Sequence, residues 1–184
     1  MSFDFMVPPP IEAVDQGNGN LCWLAATSVL FGWRDSSPLS LADSAARLGV
    51  EFTGLFGASK ALPAAWVPLW AERGGYSKEG LQCIDASGWD SLLRQHGPLI
   101  VLVDGTGGGV INHAVVVYGI VGDGSPDGTT LQVANGQGGA MEKWTFFNFV
   151  TIFEAEAGAN LSFSVLYFSA PRPLTSDDSI KRRL

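Results

Sequence analysis

The stretch QGNGNLCWLAATSVLFGW, residues 16–33, decides how the chain is read. A polar approach rich in glycine and asparagine gives way at Cys22 to a run that is apolar nearly all round, the pattern of a helix buried at the centre of a domain. Asn18 and Asn20 stand just ahead of it as candidate caps. A cysteine at the mouth of such a helix is chemically pointed, because the thiolate is the reactive species and a helix N-terminus favours negative charge. Two later stretches supply what a thiol nucleophile needs. In HAVVVYG (113–119) a histidine opens a β-rich run, and in VANGQGG (133–139) an asparagine closes another. An imidazole serves as general base and an amide orients it, so the sequence predicts a Cys22–His113–Asn135 triad of the thiol-hydrolase kind.

The alternatives for each role are few. The chain has two histidines, and His96 stands at a helix end before Gly97-Pro98, where a histidine complements the last carbonyls. Asp104 and Asp123 compete with Asn135 as orienting groups, but both fall at predicted turns. Asn112 points to the opposite face from His113 if the strand has already begun. The second cysteine, Cys83, reads as a small buried hydrophobe, and both thiols are expected to be reduced.

Composition bounds the rest. The chain has 184 residues, 46% hydrophobic and 16% charged, enough for one core and too apolar for disorder. A net charge of −7 argues against a phosphate-binding surface, so no nucleic acid partner is expected. No stretch approaches the length of a bilayer span, and MSFDFMVPPP lacks the basic region of a signal peptide. The expected location is cytoplasmic, or secreted without a cleavable signal peptide. The histidines and cysteines show no paired ligand spacing, and GTGGGVIN (105–112) lacks the Lys-Ser/Thr of a phosphate loop, so neither metal nor cofactor is expected. That glycine loop instead borders the predicted cleft.

Along the chain, residues 1–15 read as an extended arm, since Pro8, Pro9 and Pro10 forbid a helix. SLADSAARLG (40–49) carries a capping-box pattern at Ser40 and Asp43 with Gly49 as its stop. LPAAWVPLWAERGG (62–75) is a helical stretch that Pro68 kinks or splits, and SGWDSLLRQHGP (87–98) is a helix capped by Ser87. PLIVLVD (98–104), HAVVVYGIVG (113–122), TTLQVANG (129–136) and NLSFSVLYFS (160–169) are strands, with GDGSPDGT (122–129) turning the second into the third. WTFFNFVTIFEA (144–155) leans to helix with Thr145 as cap. Helices first and mostly antiparallel strands after give an α+β order. One domain over 1–170 and a loose tail over 171–184 are expected.

Gln16, Cys22-Trp23 and the apolar helix behind them resemble the opening of the papain-like cysteine peptidases. In that family a glutamine six positions before the nucleophile donates to the oxyanion, and Gln16 stands six before Cys22. The histidine opening an apolar strand that ends in glycine, and the asparagine at a later strand end before glycines, match His113 and Asn135. Asn20-Leu21 replaces the family's usual small pair before the cysteine, and the separations are shorter than in papain itself, as in compact bacterial C39-like, staphopain- or AvrRpt2-type enzymes. The resemblance implies a papain-like α+β fold and a hydrolase cleaving peptide or protein amide bonds. In it the Cys22 amide joins Gln16 in the oxyanion hole, Trp23 packs in the core and Trp144 shields the Asn–His bond. It also implies a bacterial effector or toxin setting, with an inhibitor or immunity protein as a partner. Peptidoglycan amidase, transglutaminase or acyltransferase chemistry would use the same residues, and a non-catalytic binding module would keep only the fold.

Overall fold

In the computed structural model, residues 2–79, 85–103, 113–154 and 165–170 are described. Cys83, Asp104, Asn112, the glycine loop 105–112, residues 160–164 and the tail 171–184 lie outside them.

The run behind Cys22 forms the central helix α1, Cys22–Asp35, buried without interruption from Trp23 to Phe31. Three shorter helices follow: α2, Leu41–Leu48, α3, Val50–Gly57, and α4, Val67–Gly74. Ser40 caps α2 by accepting the Asp43 N–H, and Gly49 closes it, as the capping pattern predicts. The stretch around Pro68 splits in two: a 3₁₀ turn over Ala64–Trp66 leads into α4, with Pro68 in its first turn, where a missing N–H does no harm. Helix α5, Ala86–His96, begins one residue before the predicted Ser87 cap. Asp85 takes that role, accepting the Gly88 N–H, while the Ser87 hydroxyl donates to the same carboxylate.

Among the described residues, seven strands form one sheet, all of whose pairings are antiparallel. They are β1, Phe3–Met6; β2, Tyr76–Glu79; β3, Leu99–Val103; β4, His113–Gly122; β5, Thr129–Asn135; β6, Ala140–Thr145; and β7, Val165–Phe168. The order is β2-β7-β3-β4-β5-β6, with β1 pairing the second half of β4 beyond the end of β3. The N-terminal arm thus supplies a strand, and β2 and β6 add two more that the sequence reading passed over. Gly119 marks where β1 joins: a Cβ there would stand 2.9 Å from the Phe5 carbonyl oxygen, so only glycine admits the approach. Helix α6, Phe146–Glu154, follows β6 directly, and Thr145 Oγ1 accepts the Asn148 N–H as its predicted cap.

The sheet is covered on both faces, which is why β3 reads LIVLV and is buried at every residue. On one face Ile100, Leu102, Ala114 and Val116 pack with α1 and the aromatic group Trp23, Phe52 and Trp70. On the other, Val101, Val103, Val115 and Val133 pack against Trp89 of α5 and Phe149 and Phe153 of α6. The strand phase alternates between the two cores, so one residue of slip would exchange them. This two-sided packing fixes α1 against the ends of β4 and β5, where the predicted site residues lie.

Candidate active site

Cys22 is the first residue of α1. The residue ahead of it, Leu21, is the cap and offers no side-chain hydrogen bond, so neither Asn18 nor Asn20 fills the role the sequence suggested. The reason is positional: the helix starts later than either asparagine can serve, and a leucine side chain cannot cap. The first amides of α1 are therefore turned to the thiol. Cys22 Sγ interacts with the backbone N–H groups of Cys22, Trp23 and, from the sheet, Ala114. Burial nonetheless outweighs these amides and pushes the Cys22 thiol up from its ordinary value. Desolvation thus opposes the predicted helix-end stabilisation of a thiolate.

Cys22, His113 and Ala114 line one cavity, whose remaining wall includes Trp23, Leu62, Val67 and Leu102. His113 opens β4 opposite Val103, and Asn135 closes β5 opposite Val115, so the two are diagonal neighbours across an antiparallel pair. Their side chains meet: His113 Nε2 lies 2.8 Å from Asn135 Oδ1. The backbone N–H of Gln137 also donates to Asn135 Oδ1, at 3.0 Å. An amide N–H can only donate, so that atom of Asn135 is the acceptor oxygen. His113 Nε2 must then carry the proton, and in the neutral ring Nδ1 holds the lone pair. The network assigns the tautomer a general base needs.

Gln16 is tied to both halves of the site. Its backbone N–H donates to the Gly136 carbonyl at 2.8 Å, next to Asn135, and its Nε2 donates to the Gly19 carbonyl at 2.9 Å, in the approach to Cys22. Its Oε1 is buried with no hydrogen-bond partner and faces Gly136. One Nε2 proton is used by Gly19, leaving a second.

The competing residues sit elsewhere. His96 ends α5 and stacks on Tyr167 with ring centroids 3.8 Å apart. Asp123 accepts from Ser125 within the β4–β5 turn. Trp23 packs edge-on against Trp70 in the core, and its indole N–H donates to the Lys60 carbonyl.

One residue of this region was missed. Glu142 on β6 accepts from Asn135 Nδ2 at 3.2 Å through one carboxylate oxygen and from the Trp144 indole at 2.6 Å through the other. Trp144, expected to shield the Asn–His bond, is thus held to Asn135 through a carboxylate. The available signal was the two-residue spacing of Glu142 and Trp144, which puts them on one face of a strand, but β6 was not recognised.

A family model described as papain-like cysteine protease AvrRpt2 matches residues 4–154. Among solved structures, a double glycine motif protease from an AMS/PCAT transporter in complex with the leader peptide aligns with a TM-score of 0.49 and 13% identity, over 91% of this chain and 96% of that one. No curated protein matches. No helix among the described residues is long and apolar enough to cross a membrane. With the family model spanning the helical half, the histidine strand and the asparagine strand, the chain belongs to the AvrRpt2 family of papain-like cysteine proteases, and its fold is the α+β papain-like one.

Proposed function

We propose that Cys22, His113 and Asn135 carry the proteolytic reaction, with Gln16 and the Cys22 amide receiving the oxyanion. The observation that carries this reading is the 2.8 Å contact between His113 Nε2 and Asn135 Oδ1, which leaves Nδ1 as the basic atom of a residue that lines one cavity with Cys22. Burial favours the protonated sulfur, and attack is base-assisted: the S–H proton passes to His113 Nδ1 as sulfur bonds the substrate carbonyl carbon. Charge develops on the carbonyl oxygen and is met by the amide of Cys22 and the second Nε2 proton of Gln16. The tetrahedral species collapses as the C–N bond breaks and His113 returns its proton to the leaving amine. Water then adds to the thioester with His113 again taking a proton, and the acid is released with the thiol restored. The wall of Leu62, Val67 and Leu102 suits an apolar substrate side chain beside the scissile bond.

On the family membership, an effector role and a partner inhibitor or immunity protein belong to the same reading. The test is peptide-library cleavage by wild type, Cys22→Ala, His113→Ala and Asn135→Ala, with E-64 labelling mapped by mass spectrometry. The first two variants should be inactive, the third partly active, and the label should sit on Cys22. Activity in folded His113→Ala would defeat the assignment.

A further inference from the structure

We infer that Glu142 is a positioning residue of this protease, acting on His113 through the amide of Asn135; this rests on the triad reading above. The hydrogen bonds around Asn135 have only one consistent direction. The Gln137 N–H fixes Oδ1 as acceptor at one end of the amide, and Glu142 Oε1, a carboxylate oxygen, fixes Nδ2 as donor at the other. Were the amide to rotate by half a turn, Nδ2 would face both the Gln137 N–H and the His113 Nε2–H, and Oδ1 would face a carboxylate. Glu142 is itself oriented, because the Trp144 indole can only donate and holds the other oxygen at 2.6 Å. The chain Trp144–Glu142–Asn135–His113 therefore runs along one side of the site with every donor matched to an acceptor.

The register supplies the reason these residues meet. Asn135 pairs with Ala140, and Glu142 and Trp144 follow at steps of two on β6, so all three point to the same face as Asn135. The arrangement divides between two residues what a single carboxylate does in a Cys-His-Asp triad. Asn135 touches the ring and sets its tautomer, while Glu142 supplies the negative charge one amide further back, where it favours the imidazolium formed when Cys22 gives up its proton.

This division makes an unusual demand on substitution. Asn135→Asp alone sets a second carboxylate against Glu142 across a gap of 3.2 Å with no proton between them. Glu142→Gln alone places an amide that must give its oxygen to Trp144 and its nitrogen to Asn135 Nδ2, a donor against a donor, which turns the Asn135 amide over. Together the two changes are compatible. The introduced glutamine would keep Trp144 on its oxygen and donate from its nitrogen to the new carboxylate, whose other oxygen still receives His113 and Gln137. The network is preserved with one bond reversed and the charge moved one residue closer to the ring.

The experiment measures kcat and KM of purified wild type, E142Q, N135D and N135D/E142Q on one cleaved peptide, with circular dichroism and thermal melts for each. The single variants should lose at least about tenfold in kcat with KM little changed, the order expected for a mismatched buried polar pair. The double variant should exceed both. A residue that merely braces β6 would give additive losses, and a double variant no more active than N135D overturns the proposal whether or not E142Q folds well. Long-range 15N spectra give a second readout on the folded chains, simplified by there being only two histidines. His113 should be protonated at Nε2 in wild type and shift toward Nδ1 in E142Q; an unshifted tautomer there also overturns it. His113→Ala separates the two claims. An inactive H113A with no rescue in the double variant removes only Glu142, whereas an active H113A removes the triad.

Discussion

Gly136, the residue after Asn135, is a glycine for want of room and not for its backbone shape. Its φ of −65° and ψ of −20° are open to any residue, so Gly136→Ala adds no backbone strain. The added Cβ, however, would lie 2.8 Å from the Ala25 Cβ and 3.1 Å from Gln16 Oε1. Carbon atoms rest at about 3.5–4.0 Å, so something must yield by roughly 0.7 Å or more. Ala25 cannot: it is buried on α1, one turn beyond Cys22, and an alanine has no rotamer to escape into. The displacement falls on the Asn135–Gly136 backbone and on Gln16, whose N–H is bonded to the Gly136 carbonyl. Overpacking of this kind costs about 1–3 kcal/mol, and at about 2–4 °C per kcal/mol for a chain of this length the melting temperature should fall by roughly 2–12 °C. Activity should suffer more than stability, because misplacing a catalytic group by about 1 Å can cost about a hundredfold. The assay pairs thermal melts with kcat on a cleaved peptide, for Gly136→Ala alone and combined with Ala25→Gly. The second change removes the clashing methyl; it weakens the helix by about 1 kcal/mol yet should restore much of kcat. Wild-type kcat in Gly136→Ala, or no recovery in the double variant, would refute the steric account.

Other outcomes follow from the same geometry. Gln16→Ala should lower kcat by about 10²–10³ with a much smaller effect on KM, since an oxyanion donor acts chiefly in the transition state; a change under about threefold removes Gln16 from the site. Because burial raises the Cys22 thiol, its thiolate fraction at pH 7 lies below that of an ordinary cysteine, and iodoacetamide labelling of this residue should climb with a midpoint above that of an unperturbed cysteine peptide. A midpoint below about 7 in the same titration would show a preformed thiolate instead. His96→Ala should leave kcat intact and reduce only thermal stability through the lost stack on Tyr167, in contrast to His113→Ala; equal kinetic losses in the two variants would contradict this.

The amino-acid sequence by itself determined the features that rest on local chemistry. The unbroken apolar run after Cys22 required a buried helix, Ser40 and Thr145 announced caps that form, and Pro68 divided its stretch where an N–H was missing. The triad candidates were legible because only one histidine opens a strand and one asparagine closes its neighbour. Where two local signals competed, the reading slipped: Asp85 and Ser87 both suit a helix start, and the helix begins at Ala86, which makes Asp85 the cap and leaves Ser87 inside the first turn. Strands β1 and β2 were passed over because each is short and draws its stability from a partner strand, β2 pairing with the distant β7 near the other end of the chain, and β6 because AMEKWT is a partly exposed edge strand with little apolar signal. Two features of the site were decided by tertiary structure alone. The balance between helix amides and burial at Cys22 depends on how much of the domain closes over the sulfur, which no local pattern encodes. Glu142 sits unmarked between Met141 and Lys143, and only the register of β6 on β5 carries its carboxylate to the amide of Asn135.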